Sequence, residues 1–284
     1  MRLINIHTGQ MKTFLGSDRP PYAILSHCWG TEEVSFNACT AALNNGGQLP
    51  NNKVTQFCAY LRSGSSQSTI PKAITWAWID TCCIDKESSS ELSEAINSMY
   101  NWYQDSWESI AYVQDVTAAP CAEGCRSRCQ ECIATLRQFE ESRWFTRGWT
   151  LQELIAPQKL IFVNNNWQNF GSGATIVPRI ELPMSQIIER VIRVPLILLE
   201  DPDQLVDYSM AQRMSWAATR DTTRSEDQAY CLIGLLGVNM SLLYGEGGQA
   251  WIRLQHEIAR TWNDESIFAW DLDDIDEQPL LTSI

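Results

Sequence analysis

The chain predicts an α/β fold, a mostly parallel sheet flanked by helices and followed by a C-terminal helical subdomain. Three observations carry that expectation. Short apolar runs alternate with amphipathic helical segments through residues 22–163, and such alternation builds parallel strands joined by crossover helices. Beyond about Asn165 the segments keep a helical period and are punctuated by Pro178, Pro183, Pro195 and Pro202. A hydrophobic content of 44% with 19% charged residues over 284 residues suffices for a large core. The boundaries read as residues 1–165 for the α/β core, 166–262 for the helical subdomain and 263–284 for an acidic tail.

In chain order, Tyr22–His27 is an apolar run that opens into Cys28-Trp29-Gly30 and reads as a buried strand ending in a loop. Val54, Phe57, Cys58 and Leu61 are spaced for a helix, closed by Gly64 and the serine-rich loop Ser63–Ser68. Ile74–Ile79 reads as a second strand and ends in Asp80-Thr-Cys-Cys-Ile-Asp85. Ser88 and Glu91 are spaced as a capping box, and the helix behind them carries Leu92, Ile96, Met99 and Tyr103 on one face. Ser109–Val113 and Lys159–Val163 read as the third and fourth strands, with a helix ending at Ala156 between them. Met184–Ile192, Leu205–Ala217, Glu226–Leu236 and Gln249–Thr261 all read as helices, and Thr223 with Glu226 is spaced as another capping box.

The net charge of −13 argues against nucleic acid or an anionic membrane surface as a partner. Much of the negative charge gathers at Asp264, Glu265, Asp271, Asp273, Asp274, Asp276 and Glu277, which reads as a solvated end. Met1–Gln10 is mixed and polar, unlike a signal peptide, and no apolar run is long enough to span a bilayer. The expectation is a cytoplasmic protein whose ten cysteines are reduced thiols or metal ligands. Most of the twelve tryptophans, Trp76, Trp78 and Trp102 among them, are expected in the core.

The most informative stretch is Arg147–Leu154. Glu153 stands in an otherwise apolar helical turn, four residues after Trp149 and on the same face. Pro157 stops the helix, which puts Glu153 in the last turn, where the macrodipole disfavours a carboxylate by roughly 0.3–1 kcal/mol. An acid placed there is either a candidate for chemistry or a surface residue of an amphipathic helix.

Cys121, Cys125, Cys129 and Cys132, in an insertion at about residues 118–133, offer the four thiols that tetrahedral structural zinc takes. Their spacing is unusual for zinc, which normally joins two separated knuckles, so a reduced cysteine-rich insertion is the competing reading. His27 and Cys28 are adjacent on a strand and face opposite ways, which is poor placement for a thiol nucleophile and its base. Neither a phosphate-binding P-loop nor a dinucleotide-binding glycine pattern follows a strand, and Gly245-Glu-Gly-Gly248 reads as a turn.

Pro21–Gly30, Trp78–Asp85, Glu91–Tyr100, Arg147–Leu154, Arg213–Ala217, Glu226–Tyr230 and Leu243–Gly247 together resemble the fungal heterokaryon-incompatibility (HET) domain over roughly residues 1–260. The cysteine-rich insertion departs from that pattern. The resemblance implies a cell-death effector triggered when incompatible hyphae fuse, acting in heterokaryon incompatibility and innate immunity. It also implies an upstream NLR-like or other incompatibility partner; the similarity to TIR domains adds self-association for activity. HET domains are in turn distantly similar to TIR domains, flavodoxin-like sheets of which many cleave NAD. That likeness implies a TIR-like sheet, NAD as substrate, and Glu153 as the catalytic residue, because Trp149-Thr-Leu-Gln-Glu153 is similar to the plant TIR pattern W-C-L-x-E-L.

The chemistry accommodates a single acid. Cleaving the bond between nicotinamide and ribose expels a neutral pyridine, so one carboxylate that steadies the oxocarbenium-like state suffices, unlike the paired carboxylates of ordinary glycosidases. Ser26, His27, Trp29, Asp80, Cys83 and Asp85 lie in loops at the carboxyl ends of expected strands, where parallel sheets bind ligands, and join the candidate substrate-binding set with Arg147 and Trp149. Arg147 either pairs with the diphosphate or neutralises a neighbouring acid. Trp29 either stacks on a ring or packs, and Asp80 and Asp85 either bond ribose or cap the following helix. The alternative function is a non-enzymatic TIR-like signalling module that recruits partners.

Overall fold

The computed structural model describes residues 1–16, 18–31, 33–44, 52–63, 74–117, 130–172 and 184–268. Seven strands form one sheet: β1 (Arg2–Asn5), β2 (Met11–Thr13), β3 (Tyr22–His27), β4 (Trp76–Trp78), β5 (Glu108–Tyr112), β6 (Leu160–Val163) and β7 (Asn169–Ser172), ordered β2-β1-β4-β3-β5-β6-β7. The pairs β4–β3, β3–β5 and β5–β6 are parallel, while β1–β2, β1–β4 and β6–β7 are antiparallel. The mostly parallel sheet of the sequence reading is therefore corrected to a mixed one with a parallel centre.

Residue chemistry explains the division. Every residue of β3, β5 and β6 is buried, as befits strands covered on both faces. The added edge strands are short and carry little apolar pattern. In β2 two of three residues are exposed, and β7 reads Asn-Phe-Gly-Ser. The β1–β2 turn is built by Asn5, whose carboxamide oxygen accepts from the His7 and Thr8 amides at 3.0 Å each, and by Gly9 at φ 72°.

Helices α1 (Phe36–Asn44) and α2 (Lys53–Ser63) join β3 to β4, α3 (Asp80–Cys83) and α4 (Ser89–Gln104) join β4 to β5, and α5 (Gln130–Glu140) and α6 (Thr150–Ile155) join β5 to β6. Numbered along the chain, the parallel strands lie in the order second, first, third, fourth, so the order reverses between β3 and β5. Open α/β sheets bind ligands in the crevice outside the carboxyl ends at such a reversal. Ser88 caps α4, its hydroxyl accepting from the Glu91 amide at 3.4 Å, but the Glu91 carboxylate turns away to Arg2 and the Asp85 amide.

The helical part holds α7 (Met184–Ile192), α8 (Leu196–Glu200), α9 (Met210–Ser215), α10 (Asp227–Tyr230) and α11 (Gln249–Thr261). The helix expected over Leu205–Ala217 is broken: a 3-10 turn spans Pro202–Asp207, and Ser209 then caps α9 in a full capping box with Gln212. The helix expected over Glu226–Leu236 shrinks to α10 followed by turns. Thr223 and Glu226 do not form a box. The Glu226 carboxylate instead accepts the amides of Gly245 and Gly247 at 2.7 and 3.1 Å, and the Thr223 hydroxyl accepts from Arg147 at 3.0 Å.

The sheet continues past residue 165 into β7, and a contiguous apolar core runs from Leu3 to Ile267 through both parts. Gly234, just after α10, shows how closely they meet: a Cβ there would lie 2.2 Å from Tyr100 Cβ on α4.

Candidate functional site

Helix α6 is placed by close approach and by a buried cation. A Cβ on Gly148 would lie 2.6 Å from Thr222 Cγ2 and 3.1 Å from Cys231 Sγ, so the chain entering the helix passes where only glycine fits. The Thr150 hydroxyl shares its one proton between the carbonyls of Trp144 and Arg147, at 2.5 and 2.8 Å. Arg220, only 6% exposed, donates from Nη1 to Arg147 O at 2.8 Å and to Thr150 Oγ1 at 3.0 Å. Its Nε and Nη2 find no acceptor among the described residues.

Glu153 is 8% exposed, and all six residues of α6 are buried. In so short a helix the first and last turns overlap, so the macrodipole argument gives way to burial. The Ser26 hydroxyl, at the carboxyl end of β3, donates to Glu153 Oε2 at 2.5 Å and accepts from Trp144 Nε1 at 2.9 Å. An indole nitrogen can only donate, so the single hydroxyl proton is committed to the carboxyl group. Burial, aided by the Asp80 charge, pushes the Glu153 pKa up to about 8; the hydrogen bond from Ser26, the neighbouring Tyr103 hydroxyl and the Arg220 charge oppose it.

Beside this acid lies a second, wetter group. His27 Nε2 and Trp29 Nε1 meet the two oxygens of Asp80, at 3.0 and 2.7 Å. Lys53 Nζ lies 3.0 Å from His27 Nδ1, donates to Cys28 O at 3.0 Å and pairs with Glu33, which also accepts the Gly30 amide. An ammonium only donates, so Nδ1 is the accepting nitrogen and Nε2 carries the proton given to Asp80. Burial favours a neutral Asp80, but the hydrogen bond and field of His27, the Lys86 ammonium and the Trp29 bond outweigh it and hold the carboxyl at about 2. The Lys86 Nζ sits 3.4 Å over the Trp29 ring.

Of the residues singled out from sequence, Ser26, His27, Trp29, Asp80 and Glu153 converge at the carboxyl ends of β3 and β4. Others do not join them. The Arg147 guanidinium bonds Thr223, and the half-buried Trp149 bonds Asp227. Cys83 is buried with its sulfur 4.0 Å from that of Cys82, and the Asp85 carboxylate closes a turn by accepting the Glu87 amide at 3.0 Å. Burial, followed by the Glu153 charge, pushes the Cys28 thiol up to about 12, which suits the expectation that it is no nucleophile. Cys121, Cys125 and Cys129 lie outside the described residues, and Cys132 lies on α5. No group of three or more His, Cys, Asp or Glu among the described residues is arranged to hold a metal ion, and no helix among them is long and apolar enough to cross a membrane.

Sequence reasoning missed Trp144, Tyr103 and Arg220. Trp144 carried a faint signal, standing just before the Arg147–Leu154 stretch. Arg220 carried none, since its meaning depends on a contact across 70 residues with Thr150. A cleft of about 320 Å³ in the helical part is lined by Leu205, Tyr208, Met210, Arg213 and Trp262, and no residue of the Glu153 group borders it.

Residues 22–132 match the family described as Heterokaryon incompatibility protein (HET). Over 250 residues the chain is 40% identical to the vegetative incompatibility protein HET-E-1 of Podospora anserina, a match covering 85% of this chain and 16% of that protein. The chain thus spans a small part of the length of the relative it matches. No solved structure matches it. With a family match that contains β3, the 28–31 loop and Asp80, and with identity extending over most of its length, the chain belongs to the heterokaryon-incompatibility (HET) domain family.

Proposed function

We propose that this chain is an effector of heterokaryon incompatibility that cleaves NAD between nicotinamide and ribose, in a self-assembled state, with Glu153 as its catalytic residue. The observation that carries the reading is the placement of Glu153: a buried carboxyl tied through Ser26 to the carboxyl end of β3, beside the reversal of strand order. Buried acids with displaced pKa values at strand ends are where catalysis concentrates.

The reaction is balanced by water alone. The bond between ribose C1 and the ring nitrogen breaks, nicotinamide leaves as a neutral molecule, and water adds to the oxocarbenium-like carbon to give ADP-ribose and a proton. The carboxylate of Glu153 steadies the developing positive charge and accepts from the ribose hydroxyls. A carboxyl with a pKa near 8 is largely protonated at neutrality, but the nicotinamide ring of NAD is a cation. Its charge beside Glu153 favours the ionised acid, so substrate itself prepares the group that acts on it. The depth of Glu153 in the single chain fits a latent enzyme that opens on assembly.

Purified protein is incubated with NAD and released nicotinamide is followed by chromatography. Release by the wild type and its loss in Glu153→Ala support the assignment. No release from concentrated, self-associating wild type removes the enzymatic reading, and full release by Glu153→Ala removes the residue. One observation favours the second reading, a non-enzymatic module that recruits partners: Trp144, Ser26 and Glu153 form a closed hydrogen-bonded chain inside the core, as a purely structural polar network does.

A further inference from the structure

We infer that the corner formed by Trp29 and Asp80 is a binding site for a flat organic cation, and that the Lys86 side chain is its internal occupant, displaced when that cation binds. Trp29 is 48% exposed, yet its orientation is fixed, because Nε1 donates to Asp80 Oδ2 at 2.7 Å. The ring face so presented already holds a cation, the Lys86 Nζ at 3.4 Å from its centre. An indole face and an ionised carboxylate side by side favour positive charge from two directions.

The neighbouring charges leave that preference intact. Glu33 is matched by Lys53. Lys53 is held in addition by Cys28 O and His27 Nδ1, while His27 donates its other nitrogen to Asp80. Lys86 is thus the group that balances Asp80 from the solvent side, and the residue is exposed although its ammonium rests on the Trp29 ring. Both Asp80 oxygens are occupied by His27 and Trp29, so the corner supplies field rather than metal coordination. A cation whose charge is spread over a ring covers the indole face more fully than an ammonium does. Naming the occupant as the pyridinium end of a nicotinamide nucleotide rests on the proposed function; the cation site itself does not.

The test uses the N-methylnicotinamide cation as probe and neutral nicotinamide as its control. Binding to the whole chain is followed by NMR at the Trp29 indole N–H, identified by its loss in Trp29→Leu. The expected result is a response to the cation and not to nicotinamide, with about three- to tenfold tighter binding in Lys86→Ala, since one competitor is gone. Equal response to both probes, or Lys86→Ala binding no tighter than wild type, overturns the inference. Nicotinamide release from NAD, measured on the same samples, keeps the two proposals apart. Cation binding without release upholds this site and ends the hydrolase reading. Undiminished release by a Trp29→Leu protein that no longer answers the probe ends this site and keeps the reaction.

Discussion

Glu153 is an acid that its surroundings hold in the neutral form at neutral pH, with burial raising its pKa from 4.5 to about 8. The folded value lies above the unfolded one, so the stabilisation it contributes is complete below about pH 4.5 and disappears as pH rises through about 8. The wild type is expected to lose unfolding free energy over that window at up to about 1.4 kcal/mol per pH unit. Glu153→Gln, which keeps an oxygen for Ser26, is expected to flatten that loss in denaturant titrations at pH 5, 7 and 9. Asp80 acts at the other end, its contribution present above about pH 3.8 and lost as pH falls through about 2. If the carboxylate of Glu153 does the chemistry, kcat/KM for NAD rises with pH and levels off above about 8 in the free enzyme. A flat profile between pH 6 and 9 contradicts that assignment.

Helix α6 depends closely on what it is packed against. Gly148→Ala must push back Thr222 and Cys231, and Gly234→Ala must open a backbone approach to Tyr100. Both lower thermal stability, by about 1–3 kcal/mol each for overpacking, with Gly234→Ala the worse because its Cβ meets a Cβ at 2.2 Å and no flexible tip can give way. Arg220→Gln removes the donor that fixes the carbonyl of Arg147 and the hydroxyl of Thr150. It also removes two buried nitrogens, Nε and Nη2, that lack acceptors among the described residues. The net loss is therefore smaller than for a fully bonded buried arginine, about 1–2 kcal/mol in a denaturant titration.

The same scale separates what the chain discloses from what it hides. Tyr22–His27, the α4 helix behind Ser88 and the ends of α7 and α11 follow from apolar periodicity and local caps, and they stand where expected. The capping box at Ser209 and Gln212 was legible by the same rule and marks the break missed in Leu205–Ala217. Strands β2 and β7 were hidden because edge strands need little apolar pattern, and Glu226 was misread because its amide partners lie 19 and 21 residues away. The site divides likewise: Ser26, His27, Trp29, Asp80 and Glu153 were visible from strand ends and an odd acid, while Arg147, Trp149, Cys83 and Asp85 shared their segments without sharing their direction.

At the scale of the molecule, one apolar core joins the sheet to the helical part, so the two are expected to unfold together. Calorimetry should give a single transition with matching calorimetric and van't Hoff enthalpies, and two separate transitions contradict a shared core. The sheet places its order reversal between β3 and β5, and Ser26 brings Glu153 to that edge. We propose that this acid cleaves NAD when copies of the chain assemble. The most direct measurement is nicotinamide release from NAD as a function of protein concentration, for wild type and for Glu153→Gln with its fold verified by circular dichroism. Release is expected to rise more steeply than protein concentration in the wild type and to vanish in the variant. No release at any concentration, or equal release by both proteins, contradicts it.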